Sequence, residues 1–187
     1  MTDEPNSWPQ IIMFFQDYAP PFDAEEVIRR MLRVVPTNLL WGLRSILLTN
    51  VQALSRKERN QATRGRRRSR VGEALGYYNQ EWRGEPARVT ILLDNLEKQW
   101  GRNWLRVGFV RDVGLSEVFF HELGHHIHQL HIPEYEGPEN VADKWSKKFQ
   151  KKFFRHQYWY LLPVLIPTGR ALRWGQRIAK RLRRSAT

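Results

Sequence analysis

Five consecutive residues, His121-Glu122-Leu123-Gly124-His125, put two imidazoles and a carboxylate at a spacing that can do chemistry. On a helix, residues four apart lie one above the other on one face, about 5–6 Å between their β-carbons. Two imidazoles so placed can bind one Zn²⁺, and the Glu between them can reach a water on that metal. The surrounding run from Ser116 to His131, SEVFFHELGHHIHQLH, carries Val118-Phe119-Phe120 just ahead of the first histidine, enough apolar bulk to bury one side of such a helix. The same five residues also arise by chance in ordinary helices, and only the residues downstream separate the two cases.

Pro133 breaks the helix, and Glu134-Tyr135-Glu136-Gly137-Pro138 leads into Glu139-Asn140-Val141-Ala142-Asp143. Gly137-Pro138 suits a helix start, because the N–H that proline lacks would have had no partner there. Glu139 and Asp143 then share one face of a second helix. One carboxylate can complete a His₂Glu metal site, and the other can accept the free ring N–H of a ligand histidine, fixing its tautomer. Ala142 stands between them as a small residue suited to close packing.

HELGH followed by ExxAD resembles the gluzincin metallopeptidases, in particular their small minigluzincin type. The similarity runs from Gly72 to Trp145 and is specific in the two metal-site segments. It implies that His121, His125 and Glu139 hold Zn²⁺, that Glu122 is the general base, and that Asp143 supports a ligand histidine from behind. It also implies an α+β, zincin-like domain: a short, mostly antiparallel sheet packed on the HExxH helix, beside a second helix bearing the last ligand. The activity implied is that of a zinc metalloendopeptidase, hydrolysing peptide bonds of a protein or peptide substrate with a metal-activated water. The short connection from His125 to Glu139 keeps Glu136 and Glu134 as alternative third ligands. His131, six residues after His125, has the metzincin spacing. In an unbroken helix, however, it lies about 9 Å further along the axis, and His128 stands where metzincins place a glycine to turn the chain. Glu139 is therefore preferred to His131. His126 and His128 are expected to face solvent or neighbouring side chains.

The elements that must position these residues are read from pattern. Asp23-Ala24-Glu25-Glu26 looks like a cap, with a helix to Val35 stopped by Pro36. Leu43–Leu54 begins as a strand through Ile46-Leu47-Leu48, and Ala74–Asn79 and Ala87–Leu93 read as two more. Gly76–Gln80 is the candidate edge along which an extended substrate could pair. Asn95–Gly114 reads as a short helix and connection covering the sheet. The second metal helix should span Glu139–Arg155, with Ala142, Trp145, Phe149 and Phe153 on its apolar face and Lys144, Lys147, Lys148, Lys151 and Lys152 opposite. The chain thus divides into three regions: an N-terminal arm over 1–22, the catalytic domain over 23–157 with a basic loop at 55–70, and a basic amphipathic tail over 158–187.

With 187 residues, 41% hydrophobic and eight of them Trp, the chain has material for one domain and its core. It contains no cysteine, which excludes disulfides and thiolate metal sites. MTDEPNSWPQ lacks the layout of a secretory signal, and no apolar run approaches the roughly 20 residues of a spanning helix. The expectation is a cytoplasmic protein, with peripheral contact at a membrane as an extension of it. The net charge of +12 is unevenly placed: thirteen Lys or Arg and no acid come after Asp143, leaving 18 basic against 19 acidic residues up to that point. Such a tail suits an anionic membrane surface or a nucleic acid. His156, Tyr158 and Tyr135 could each stabilise an oxyanion, and spacing selects none of them. The rival reading is a non-catalytic module, zinc-stapled or metal-free, that binds such surfaces through its basic residues.

Overall fold

Among the described residues, four short strands carry the elements that build the site: β1 (Gln10–Phe14), β2 (Leu43–Thr49), β3 (Gly76–Asn79) and β4 (Ala87–Leu92), in the spatial order β1-β2-β4-β3. The computed structural model describes residues 8–62, 70–82, 84–131 and 137–161. The chain divides into two compact units, Met1–Gln150 and Lys151–Thr187.

The sheet corrects the expectation of a mostly antiparallel one. β1 runs parallel to β2, from Gln10 beside Ser45 to Phe14 beside Thr49, and β2 runs parallel to β4; β3 alone is antiparallel, to β4. Parallel neighbours need a crossover, and helix α1 (Ala24–Leu32) lies in the segment that joins β1 to β2. Residues 10–14, read as part of an arm, thus supply the sheet's outer strand. One face of the central strands is apolar: Ile46 and Leu48 of β2 lie beside Val89 and Ile91 of β4, and all four are fully buried.

Helix α1 begins where the sequence places it, with Asp23 accepting a hydrogen bond from the Glu26 amide at 2.9 Å. Its buried stripe is Val27, Ile28, Met31 and Leu32. The basic loop expected at 55–70 opens as a short helix, α2 (Arg56–Asn60), closed by a reciprocal capping box between Ser55 and Glu58. Arg66-Arg67-Arg68 lie outside the described residues. After β4 come α3 (Leu93–Trp100) and α4 (Arg102–Leu105), and then α5 (Gly108–His131), which carries HELGH. The Asn95 side chain of α3 donates to the carbonyls of Gly72 and Ala74, at 2.9 and 2.8 Å, and so fixes the approach to β3. At the start of α5 the buried Asp112 is paired with Arg30 of α1 at 3.1 Å and with Arg111 at 2.9 Å.

Helix α6 (Pro138–Gln157) is the expected second helix. Ala142 and Phe149 are buried while Lys144, Lys147 and Lys148 are exposed, and Phe149 packs on Phe120 of α5 with ring centroids 5.7 Å apart. In the second unit Phe153 is buried, Phe154 stacks on Tyr158, and Lys151, Lys152 and Arg155 are exposed. The amphipathic pattern over 168–184 falls outside the described residues. Among those described, no helix is long and apolar enough to cross a membrane.

Candidate metal centre

Helix α5 uses two adjacent faces. His121 and His125, four apart, look toward α6; Val118, Glu122 and His126, also spaced by four and rotated one residue further, lie on β3. Each contact is close because a glycine stands in it. A Cβ on Gly124 would sit 2.6 Å from the Cα of Ala142 and 2.8 Å from its carbonyl oxygen, so the two helix backbones nearly touch there. On the other face, a Cβ on Gly76 would sit 2.7 Å from Cγ1 of Val118 and 3.3 Å from Cγ of Glu122.

The close crossing brings the first turn of α6 to the histidines. Nε2 of His121 and Nε2 of His125 are 3.2 Å apart, and the Glu139 oxygens lie 3.6 Å from the first and 3.8 Å from the second. A tetrahedral ion with ligands at about 2.0–2.1 Å separates its donors by roughly 3.3–3.4 Å. The observed spacings straddle that value. Among the described residues, His121, His125 and Glu139 are the group of donors that could hold a metal ion. Asp143 lies behind them, its Oδ1 3.3 Å from Nδ1 of His121. A carboxylate there accepts the Nδ1 proton, which leaves the Nε2 lone pair turned toward the other donors. Glu139, His121 and His125 are each partly exposed.

Glu122 is not among the donors. Burial pushes its carboxyl up to about 8, the charge of Glu139 adds to that, and the backbone N–H of Tyr78 pulls the other way by hydrogen bonding to the ionised form. The direction of that N–H is set by the ladder. Leu92 donates to the carbonyl of Leu75 at 2.8 Å, in register with Tyr77 beside Thr90 and Asn79 beside Arg88. Leu75, Tyr77 and Asn79 therefore bond to β4, while Gly76 and Tyr78 turn their backbone groups outward. His125 is pushed down, first by burial and then by the neighbouring His121, which favours the neutral ring a metal needs.

No family model, curated protein or solved structure matches this chain. Its function therefore rests on the site alone.

The structure brings together His121, His125, Glu139 and Asp143, with Glu122 on the adjoining face. Glu134, Tyr135 and Glu136 lie outside the described residues, as does the side chain of His131. His156 and Tyr158 belong to the second compact unit. His126, expected to face solvent or neighbouring side chains, does the latter: it is buried between the Tyr78 hydroxyl and the Trp41 carbonyl, 3.1 Å from each. Sequence reading missed Gly76 and Tyr78 as neighbours of Glu122. A glycine inside a strand pattern, as in Leu75-Gly76-Tyr77-Tyr78, marks a close backbone approach and was the available signal.

Proposed function

We propose that this chain is a zinc-dependent metallopeptidase, with His121, His125 and Glu139 as the ligands and Glu122 as the general base. The observation that carries the reading is the position of Glu122. A purely structural zinc site closes around four protein ligands, whereas among the described residues this cluster has three donors, each partly exposed, and a carboxylate held beside them by the Tyr78 N–H. Bound Zn²⁺ supplies Lewis acidity and brings the pKa of a water toward neutrality. Asp143 keeps the His121 ring in the ligand tautomer. Glu122 accepts the proton of the attacking water on its carboxylate and delivers it to the leaving amine. The outward backbone groups of Gly76 and the carbonyl of Tyr78 on the sheet edge give an extended peptide a strand to pair with, the Tyr78 N–H being taken by Glu122. The thirteen basic residues after Asp143 support docking at an anionic surface, lipid or nucleic acid.

The test is zinc content beside chelator-sensitive cleavage of casein or a peptide library. Wild type is expected to hold one zinc and to cleave. Glu122→Gln is expected to hold the same zinc with cleavage down by about 10²-fold or more, the scale of a lost general base. A variant that cleaves undiminished removes Glu122 from the reaction. Zinc without any cleavage in the wild type favours a structural staple.

A further inference from the structure

Tyr78 holds helix α5 at two points one turn apart. Its backbone N–H goes to Glu122, and its hydroxyl lies 3.1 Å from Nδ1 of His126, with the two rings edge-to-face at 5.5 Å between centroids. The proton positions are fixed by the third partner. Nε2 of His126 lies 3.1 Å from the carbonyl oxygen of Trp41, which can only accept. Nε2 therefore carries the hydrogen, Nδ1 is bare, and the Tyr78 hydroxyl donates to it. Burial pushes the Tyr78 phenol up to about 12, so the donor keeps its proton through the working range. Although His126 adjoins His125, its two ring nitrogens are taken by strand β3 and by the connection before β2, and neither faces the donor cluster. One buried imidazole thus ties two separate elements to a single turn of the helix that bears Glu122.

We infer that Tyr78 and His126 are a positioning pair, whose hydrogen bond sets where strand β3 meets α5 and hence where the Glu122 carboxylate and the substrate-pairing edge stand. The inference rests on the peptidase reading for its kinetic consequence and on the hydrogen bonds alone for its structural one. Neither residue touches the reacting atoms; the pair acts through Glu122 and the backbone of β3. A hydroxyl removed by Tyr78→Phe leaves the ring, the backbone N–H and the metal donors in place. His126→Asn keeps an acceptor near the position of Nδ1, whereas His126→Leu keeps only bulk.

The experiment compares Tyr78→Phe, His126→Leu, His126→Asn and the double variant Tyr78→Phe/His126→Leu by two readouts. The first is amide hydrogen exchange at Tyr78 in chelator-treated protein, which needs no activity. The second is steady-state cleavage by zinc-loaded protein of one short and one extended peptide. Expected is Tyr78 amide exchange faster by at least tenfold in Tyr78→Phe and His126→Leu, and less so in His126→Asn. Expected also are unchanged zinc stoichiometry and a fall in kcat of roughly 10- to 100-fold, the scale of a small misplacement of a reacting group. KM should rise for the extended peptide and stay level for the short one, and the double variant should be no worse than the worse single. Unchanged exchange and kcat in Tyr78→Phe overturn the inference, as do strictly additive losses. If wild type cleaves neither peptide, the peptidase reading fails, and the exchange data still decide whether the pair holds the strand.

Discussion

The two contacts of helix α5 are built on the same device in opposite hands. Against α6 the glycine belongs to α5 itself, Gly124 lying on the backbone of Ala142; against β3 the glycine belongs to the partner, Gly76 lying under Val118 and Glu122. The first contact assembles His121, His125 and Glu139, which could hold a metal, and the second seats Glu122, the proposed base. The difference is in what stands opposite each missing side chain. Only backbone faces Gly124, whereas Gly76 faces the Val118 methyl at 2.7 Å and the Thr90 carbonyl at 3.0 Å, and the valine, unlike a backbone, can be pared back by substitution. The donor half of the site is therefore the brittle one, and the base half has some give.

Gly124→Ala should break the brittle half. The added methyl would meet the Cα of Ala142 at 2.6 Å, so α6 must shift, and Glu139 and Asp143 with it. Expected are a loss of about 3 kcal/mol of stability and zinc affinity down by orders of magnitude, read by urea denaturation and metal titration. Retained affinity would mean that the crossing does not set the donor spacing.

Glu122→Gln separates the halves by sign, because it should stabilise the metal-free chain. The carboxyl is raised from 4.5 to about 8 on folding, chiefly by burial. Between those values the folded chain keeps a proton that the unfolded chain releases, so stability falls as pH rises through the window. Glutamine carries no charge to bury. With chelator present, the variant should match wild type near pH 4 and exceed it at pH 8 by roughly 4 kcal/mol. A difference that does not widen between those pH values contradicts the buried carboxyl.

Gly76→Ala should act most gently. Expected is a loss of about 1–2 kcal/mol with zinc stoichiometry kept and cleavage reduced, since Glu122 is displaced and the donors are not. Adding Val118→Ala removes the nearest obstacle and should recover part of the activity. Equal losses of zinc and cleavage in Gly76→Ala would dissolve the distinction between the two halves.

What could be read from the sequence was what helical spacing dictates. His121 with His125, and Glu139 with Asp143, pair through the four-residue repeat, and the breaker pair Gly137-Pro138 located the start of α6. The strands β2, β3 and β4 were legible as apolar runs, but their directions were not, because strand pairing joins residues far apart in sequence. β1 was hidden for a related reason: Gln10-Ile11-Ile12-Met13-Phe14 comes after a proline and has no helical or hairpin signal to frame it. α2 could have been found, since Ser55-x-x-Glu58 is a capping box in plain view. The roles of Tyr78 and His126 were beyond reach, resting on a contact between residues 48 apart.

The outer strand β1 has a consequence for handling the protein. From Trp8 to Gln16 no residue is charged, and Ile12, Met13 and Phe14 are exposed. Edge strands are usually guarded by lysines, prolines or bulges against pairing with a neighbouring chain, and this one has no such guard along its length. Concentrated or warmed solutions should therefore turn cloudy through strand-to-strand association at β1 before the buried centre gives way, and Met13→Lys should keep them clear.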